Sequence, residues 1–163
     1  MKKYTKADQK LLATWSADCA LRVLRFFENA HPNDDRPRKA IQACRKWVRT
    51  GVFKMAEIRG ASLGAHAAAR KAKANDTACF AARAAGQAVA TAHVPQHAVG
   101  GAFYALKAIA AANPEKAEGK VARELAWQSR RLAKSLREGN LGRIVIEKRR
   151  RRIFISIRKG EGF

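Results

Sequence analysis

Along most of this chain, apolar residues return every three or four positions and are separated by charged ones. That spacing places them on one face of an α-helix, so the pattern predicts a series of amphipathic helices. The first predicted helix runs from about Lys6 to Ala30 and has the bulkiest apolar stripe, which includes Trp15, Phe26 and Phe27. The polar turn at residues 31–35 ends it, because Asn and Asp side chains stabilise turns.

Proline and glycine mark the boundaries of the next helices. Pro37 suits the first turn of a second helix, and Gly51 suits its C-terminal end. A third helix is predicted from about Val52 to Lys73, and a fourth, with a face made mostly of alanine, from about Asp76 to His93. A fifth helix begins at Pro95 and is apolar nearly all round, so we expect it to be the central element.

A sixth helix is predicted from Pro114 to the Gly139-Asn140 pair, with inward positions at Val121, Leu125, Leu132 and Leu136. Beyond it, two β-branched runs flank a basic tract, a pattern that fits either a β-hairpin or a disordered tail. The sequence therefore predicts an all-α fold of about six alanine-rich antiparallel helices at residues 1–140, arranged as a bundle or a short α-solenoid. Residues 141–163 form a basic C-terminal tail.

The length of 163 residues suits a core of ordinary size. Many of its apolar residues are alanine, so the core depends on a few large side chains. We expect these to be Trp15, Phe26, Phe27, Trp47, Phe53, Phe103, Leu106 and Leu125.

Charge limits the kinds of partner. The chain has 34 basic and 13 acidic residues and a net charge of +21, spread over the helical part and the tail. Such a field attracts nucleic acid, an anionic membrane surface or an acidic protein, and charge alone does not choose among them. The same charge also fits a merely solubilising surface.

The cysteines and the N-terminal residues indicate the compartment. Cys19, Cys44 and Cys79 are odd in number and widely spaced, which is typical of free thiols in a reducing cytosol. The first residues lack the apolar run of a signal peptide, and the most apolar stretch, residues 98–112, is too short to span a bilayer. These features predict a soluble cytoplasmic protein.

Two groups of charged residues are candidate contact sites. Asp18 and Arg22 lie four positions apart beside large apolar residues, so they could pair at the edge of the core and position another helix or receive a ligand. Asp35, with Arg36 and Arg38, lies at a predicted helix start. There carboxylates cap the helix, and the arginines could bind an anion or a partner.

Histidines raise the question of metal binding or catalysis. His66, His93 and His97, with Asp18 and Cys79, could form a metal site, but Pro95 separates His93 from His97 and disturbs the helical spacing that metal-binding pairs use. No nucleophile turn or phosphate-binding glycine loop is present. We therefore predict no metal, no cofactor and no enzymatic activity. A small-ligand or metal pocket among Asp18, Arg22, His66 and His93 stays a further alternative.

A basic stripe indicates a second possible function. On the sixth predicted helix, arginines and a lysine surround Trp127, a potential stacking platform for a base, and a basic tract follows in the tail. A nucleic-acid-binding accessory protein is therefore an alternative, although no recognisable reading motif is present. The candidates are Arg123, Trp127, Arg130, Lys134, Arg137, Arg149, Arg150, Arg151 and Arg152.

Five segments carry a family resemblance: ADCALRVLRFFE at 17–28, NDDRPRKAI at 33–41, AHAAAR at 65–70, GQAVATAHV at 86–94 and HAVGGAFYALKA at 97–108. Together they resemble a bacterial family of predicted immunity proteins of polymorphic toxin systems. The resemblance implies an all-helical protein that binds and neutralises a cognate toxin without catalysis. It also implies a shared pocket or partner face among the matched polar residues Asp18, Arg22, Asp35, Arg36, Arg38, His66, Arg70, His93 and His97.

The chain departs from this family pattern in its basic tail, from about Asn140 onward. Its charge also fits poorly with inhibition of a nuclease, because a protein that covers a cationic nuclease site needs an acidic face. The sequence therefore favours either a toxin of another kind as partner or a role other than immunity.

Overall fold

The structure, a computed structural model, describes residues 4–158. The last five residues of the predicted tail lie outside the described residues. None of the helices in the described part combines the length and apolar character that crossing a bilayer requires. The predicted helical fold is confirmed, and its helices are α1 (Lys6–Ala30), α2 (Arg36–Thr50), α3 (Met55–Lys71), α4 (Asp76–Ala90), α5 (His97–Ala112), α6 (Ala117–Arg131) and α7 (Lys134–Asn140).

Local chemistry defines the helix ends. Thr5 Oγ1 accepts a hydrogen bond from the Asp8 amide, and the Asp8 carboxylate accepts one from the Thr5 amide, so both groups cap α1. Gly51 ends α2 in the left-handed region at φ 71°, where a side chain would be strained. Asn75 Oδ1 accepts from the Ala78 amide at the start of α4. The predicted bounds of α1 and the predicted end of α2 are confirmed.

Helix α4 is the centre of the fold, because it packs against α1, α2, α3 and α5. Its inward positions are small, so four neighbours can approach its backbone. This arrangement is a bundle, since in a solenoid each unit contacts only its sequence neighbours. The prediction that the fifth helix is central is wrong: α5 leaves Phe103 and Tyr104 half-buried, and Lys107 covers the Phe103 ring at 5.4 Å.

The large core side chains come mainly from α1 and α2. Trp15, Phe27, Trp47 and Leu106 are buried as predicted. Phe26, Phe103 and Leu125 are only half-buried. Phe53 is 38% exposed, so its predicted place in the core is wrong. It lies in the connection between α2 and α3, where it has no core-facing helix to hold it.

The predicted sixth helix is interrupted. A 3₁₀ turn at Pro114–Lys116 precedes α6, and Leu132 then adopts an extended conformation that separates α6 from α7. Arg137 Nε donates to the freed Leu132 carbonyl at 2.8 Å. The break lets both Leu132 and Leu136 reach the core, as predicted, although they no longer share one straight helix.

The tail forms a β-hairpin, which decides between the two conformations that its sequence allowed. Strands β1 (Ile144–Arg149) and β2 (Arg152–Ile157) pair antiparallel around a two-residue turn in which Arg150 has φ 55°. Strand β2 packs on α5 and α6. Its side chains alternate, with Ile153, Ile155 and Ile157 half-buried and the residues between them exposed.

The three cysteines are free, as predicted, and all three are buried. The Cys44 thiol donates to the Ala88 carbonyl at 3.3 Å. Burial raises the pKa of Cys44 to about 12. Burial also raises the pKa of Cys19, and Glu124 and Asp18 nearby add to the effect. Cys19 and Cys44 therefore act as small apolar residues rather than as nucleophiles.

Candidate partner-binding site

Three histidines from separate segments border one cleft. His66 comes from α3, His93 from the turn after α4, and His97 from the first turn of α5. The cleft has a volume of about 460 Å³. We call it the histidine cleft, and its other lining residues are Met55, Ile58, Arg59, Ser62, Leu63 and Ala90.

A glycine in α4 allows one wall of the cleft to form. The His66 ring lies against Gly86, where an added methyl carbon would be only 2.8 Å from Nε2. Ser62 Oγ donates to the Gly86 carbonyl at 3.0 Å, which links α3 to α4 at the same point. Gly86 therefore lets α3 approach α4 closely and orients His66.

A second glycine, Gly100, helps to position His97 at the other side of the cleft. His97 Nδ1 donates to Gln87 Oε1 at 2.8 Å, and the Gln87 side chain rests on Gly100. An added methyl carbon at Gly100 would be 2.8 Å from the same Gln87 oxygen. The segments around residues 86 and 97, which the family resemblance matched separately, thus meet here.

Burial is the main cause that lowers the pKa of both His66 and His97. Arg83 and Arg70 lower the pKa of His66 further, and His93 does the same for His97. The two rings are therefore neutral at physiological pH and offer a weakly polar surface rather than further positive charge.

Acidification is expected to lower the free energy of unfolding. The unfolded histidines titrate near pH 6.5, whereas the pKa of His66 and His97 is lower in the folded chain, so the unfolded state takes up protons first. Stability is thus fully present above about pH 6.5 and is lost as pH falls toward the folded pKa. Urea unfolding at pH 7.5 and 5.5 measures the loss, which should be smaller in a His66→Gln variant. An equal loss in the variant would contradict this assignment.

Apolar side chains extend the cleft onto the surface. Met55 and Leu63 line it and are 46% and 54% exposed. Phe53 stacks on His93 with ring centroids 6.4 Å apart. We call Phe53, Met55 and Leu63 the apolar rim. Exposed apolar side chains grouped around a cleft are typical of a contact site for another molecule.

None of the charged residues of the resemblance lines this cleft, although Arg70 lies near enough to influence His66. The predicted pair between Asp18 and Arg22 does not form, because each binds another helix. Asp18 accepts from Arg45 of α2 at 2.9 Å and from Arg131 of α6 at 3.0 Å. Arg22 donates instead to Glu124 of α6.

Helix α2 begins with a separate set of ion pairs. Arg36 donates to Asp34, and Arg38 donates to Glu28 at the end of α1. Asp35 occupies the N-cap position without a capping hydrogen bond and pairs with Lys39 at 3.0 Å. Arg70 lies exposed on α3, near enough to influence His66.

The basic residues predicted to bind nucleic acid do not form one continuous stripe. Arg123 and Arg130 are on α6, whereas Lys134 and Arg137 are on α7, beyond the break. The Trp127 ring is covered by the Arg22 guanidinium at 4.0 Å, so it offers less surface for stacking. Arg149 donates to Glu147, and Arg149, Arg150, Arg151 and Arg152 lie exposed at the end of the hairpin.

Sequence reasoning missed two buried polar residues on α6. The Gln128 side chain donates through Nε2 to the Ala102 backbone carbonyl. The backbone carbonyl of Gln128 accepts a hydrogen bond from Trp15 Nε1 at 2.9 Å. Glu124 is only 4% exposed and binds Arg22 through both oxygens at 2.9 and 3.0 Å. Their spacing from Val121 was the available signal, because residues 121, 124 and 128 share one helical face.

Removal of Arg22 is expected to destabilise the fold. An Arg22→Met substitution leaves the buried Glu124 carboxylate without its partner, which costs about 1–3 kcal/mol of unfolding free energy. The double variant Arg22→Met/Glu124→Met should recover most of this loss, because it removes the buried charge and keeps the volume. Urea unfolding measures both. A single variant as stable as the natural chain would show that the pair contributes nothing.

A family model described as Imm-5 like putative immunity protein matches residues 2–135. The match runs from the start of α1 into α7 and ends before the hairpin. It includes all three histidines of the cleft and the apolar rim. Neither a curated protein nor a solved structure matches the chain.

Proposed function

Because the chain belongs to the Imm-5 like immunity-protein family, we propose that it binds a cognate bacterial toxin and neutralises it without catalysing a reaction. The observation that supports this most directly is the histidine cleft with its apolar rim. The cleft joins residues of three helical segments within the family match. A surface of this kind suits a protein partner better than a freely diffusing substrate, since its rim is exposed and apolar.

The cleft and its surroundings indicate the chemistry of the toxin surface. Arg59 lines the cleft, and Arg70 and Arg83 lie close enough to affect His66. None of the three has an ion pair with a carboxylate in residues 4–158. We therefore propose that the toxin inserts an apolar side chain into the cleft and surrounds it with Asp or Glu residues.

The direct test has two stages. The tagged chain is first used to capture proteins from its native host after nuclease treatment, and stoichiometric partners are identified by mass spectrometry. Each partner is then expressed in a heterologous bacterium with and without the chain. We expect one partner that arrests growth alone and is tolerated when the chain is co-expressed.

Two results would contradict the proposal. A parallel capture without nuclease that recovers nucleic acid and no stoichiometric protein would favour the nucleic-acid-binding alternative, in which binding to duplex DNA weakens steeply with salt. A stoichiometric protein partner that is harmless when expressed alone would retain protein binding but exclude toxin neutralisation.

A further inference from the structure

A second pocket lies on another side of the molecule, between α1, α6 and the end of α5. Its volume is about 380 Å³. Four basic residues converge on it: Arg22 and Arg25 from α1, and Lys120 and Arg123 from α6. The remaining lining residues are Phe26, Ile109, Ala112, Asn113 and Glu124.

Arg22 is held in one orientation. Its Nε and Nη2 donate to both oxygens of Glu124, a carboxylate that is almost fully buried. The Trp127 ring covers the guanidinium at 4.0 Å. These contacts use one edge and one face of the group, so Nη1 stays available to a ligand in the pocket. A surface ion pair would not need to bury its carboxylate in this way.

The pocket has an excess of positive charge. Glu124 lines it, but its two oxygens are engaged by Arg22, so that pair is neutral as a whole. Arg25, Lys120 and Arg123 have no ion pair with a carboxylate within residues 4–158. About three positive charges thus surround a space that lacks a compensating anion from the described chain.

The donors and the wall together select the ligand class. Arginine forks bind phosphate oxygens through two parallel hydrogen bonds, and a phosphate group with two or more negative charges matches this excess better than one carboxylate does. Phe26, Ile109 and Ala112 form an apolar wall beside the cations. The volume lies at the lower end of the range of about 300–1,000 Å³ for ligand pockets.

We infer that this pocket binds a phosphate-bearing ligand, with Arg22, Lys120 and Arg123 on the phosphate and an organic group against the wall of Phe26 and Ile109. The inference does not depend on toxin binding, because it uses a different face of the fold. Glu124 and Trp127 are positioning residues that direct Arg22 toward the ligand.

Isothermal titration calorimetry tests the site with ATP in 150 mM salt without divalent cations. The test variant Lys120→Gln/Arg123→Gln removes two exposed cations from the pocket. The control variant Arg49→Gln/Lys73→Gln removes two exposed cations from elsewhere, so the net charge is the same. We expect saturable binding to the natural chain, a loss of at least about tenfold in the test variant and a change below about twofold in the control.

Two further probes distinguish the ligand sources. Tighter binding of ATP than of inorganic tripolyphosphate supports the whole inference. Equal binding of the two supports the phosphate contacts but overturns the organic group against the wall of Phe26 and Ile109. Adenosine that binds as well as ATP would overturn the inference. Equal losses in the test and control variants would also overturn it, because they would show diffuse attraction to a basic protein. The inference would be overturned as well if neither ATP nor tripolyphosphate showed saturable binding.

Discussion

A Leu63→Asp substitution is expected to weaken toxin binding by at least about 100-fold. Loss of the apolar contact costs about 1.5–3 kcal/mol if Leu63 is fully covered by the toxin. The new carboxylate would also face the acidic residues proposed for the toxin, which adds repulsion. About 2.8 kcal/mol corresponds to a 100-fold change in affinity. Binding to the purified toxin by calorimetry and growth rescue in cells measure the effect.

A matched control is available in the chain. Leu21 is 39% exposed on α1 and does not line the histidine cleft, so Leu21→Asp introduces the same charge at another surface. Both positions are exposed, and each variant should unfold within about 0.5 kcal/mol of the natural chain. Normal binding by Leu63→Asp, or equal loss in both variants, would remove the histidine cleft as the toxin site.

A Gly101→Ala substitution is expected to lower the free energy of unfolding by about 1–3 kcal/mol, although alanine is the better helix former. Gly101 of α5 faces Ser16 of α1, and an added methyl carbon would overlap Ser16 Oγ. It would also lie 3.3 Å from Ser16 Cβ and 3.4 Å from the Ser16 carbonyl oxygen, so rotation of the hydroxyl does not fully relieve the contact. Urea unfolding measures the change.

Ser16 provides the compensating change. Its Oγ is buried without a hydrogen-bond partner among residues 4–158, so Ser16→Ala alone should be neutral or slightly stabilising. In the double variant Ser16→Ala/Gly101→Ala, the overlapping oxygen is absent, and much of the lost stability should return. Simple additivity of the two single changes would show that the two side chains do not meet.

Local patterns predicted the helices well wherever their own capping residues were present. The bounds of α1 follow from its apolar stripe and from the turn after Ala30, and the end of α2 follows from Gly51. The break between α6 and α7 was missed because no proline or glycine marks it. It depends on Leu132 and Leu136 reaching the core, which is a tertiary effect.

The candidate site was predictable only in part. The family resemblance grouped His66, His93 and His97, but their spacing alone could not bring them together, since the cleft depends on how α3 and α5 flank α4. Helical spacing suggested that Asp18 pairs with Arg22, yet Glu124 lies 102 positions from Arg22 and binds it instead. Contacts between residues so far apart in the sequence depend on how whole helices pack together.

The contacts that His66 and Gln87 make with glycines imply that the histidine cleft exists before any partner arrives. His66 rests on Gly86, and Gln87, which accepts a hydrogen bond from His97, rests on Gly100, so two of the lining side chains are oriented by contacts within the bundle. Docking then requires little reorganisation of this chain, and little conformational entropy is lost on its side of the complex. A rigid receptor surface of this kind favours rapid capture, which fits the toxin-binding role proposed above.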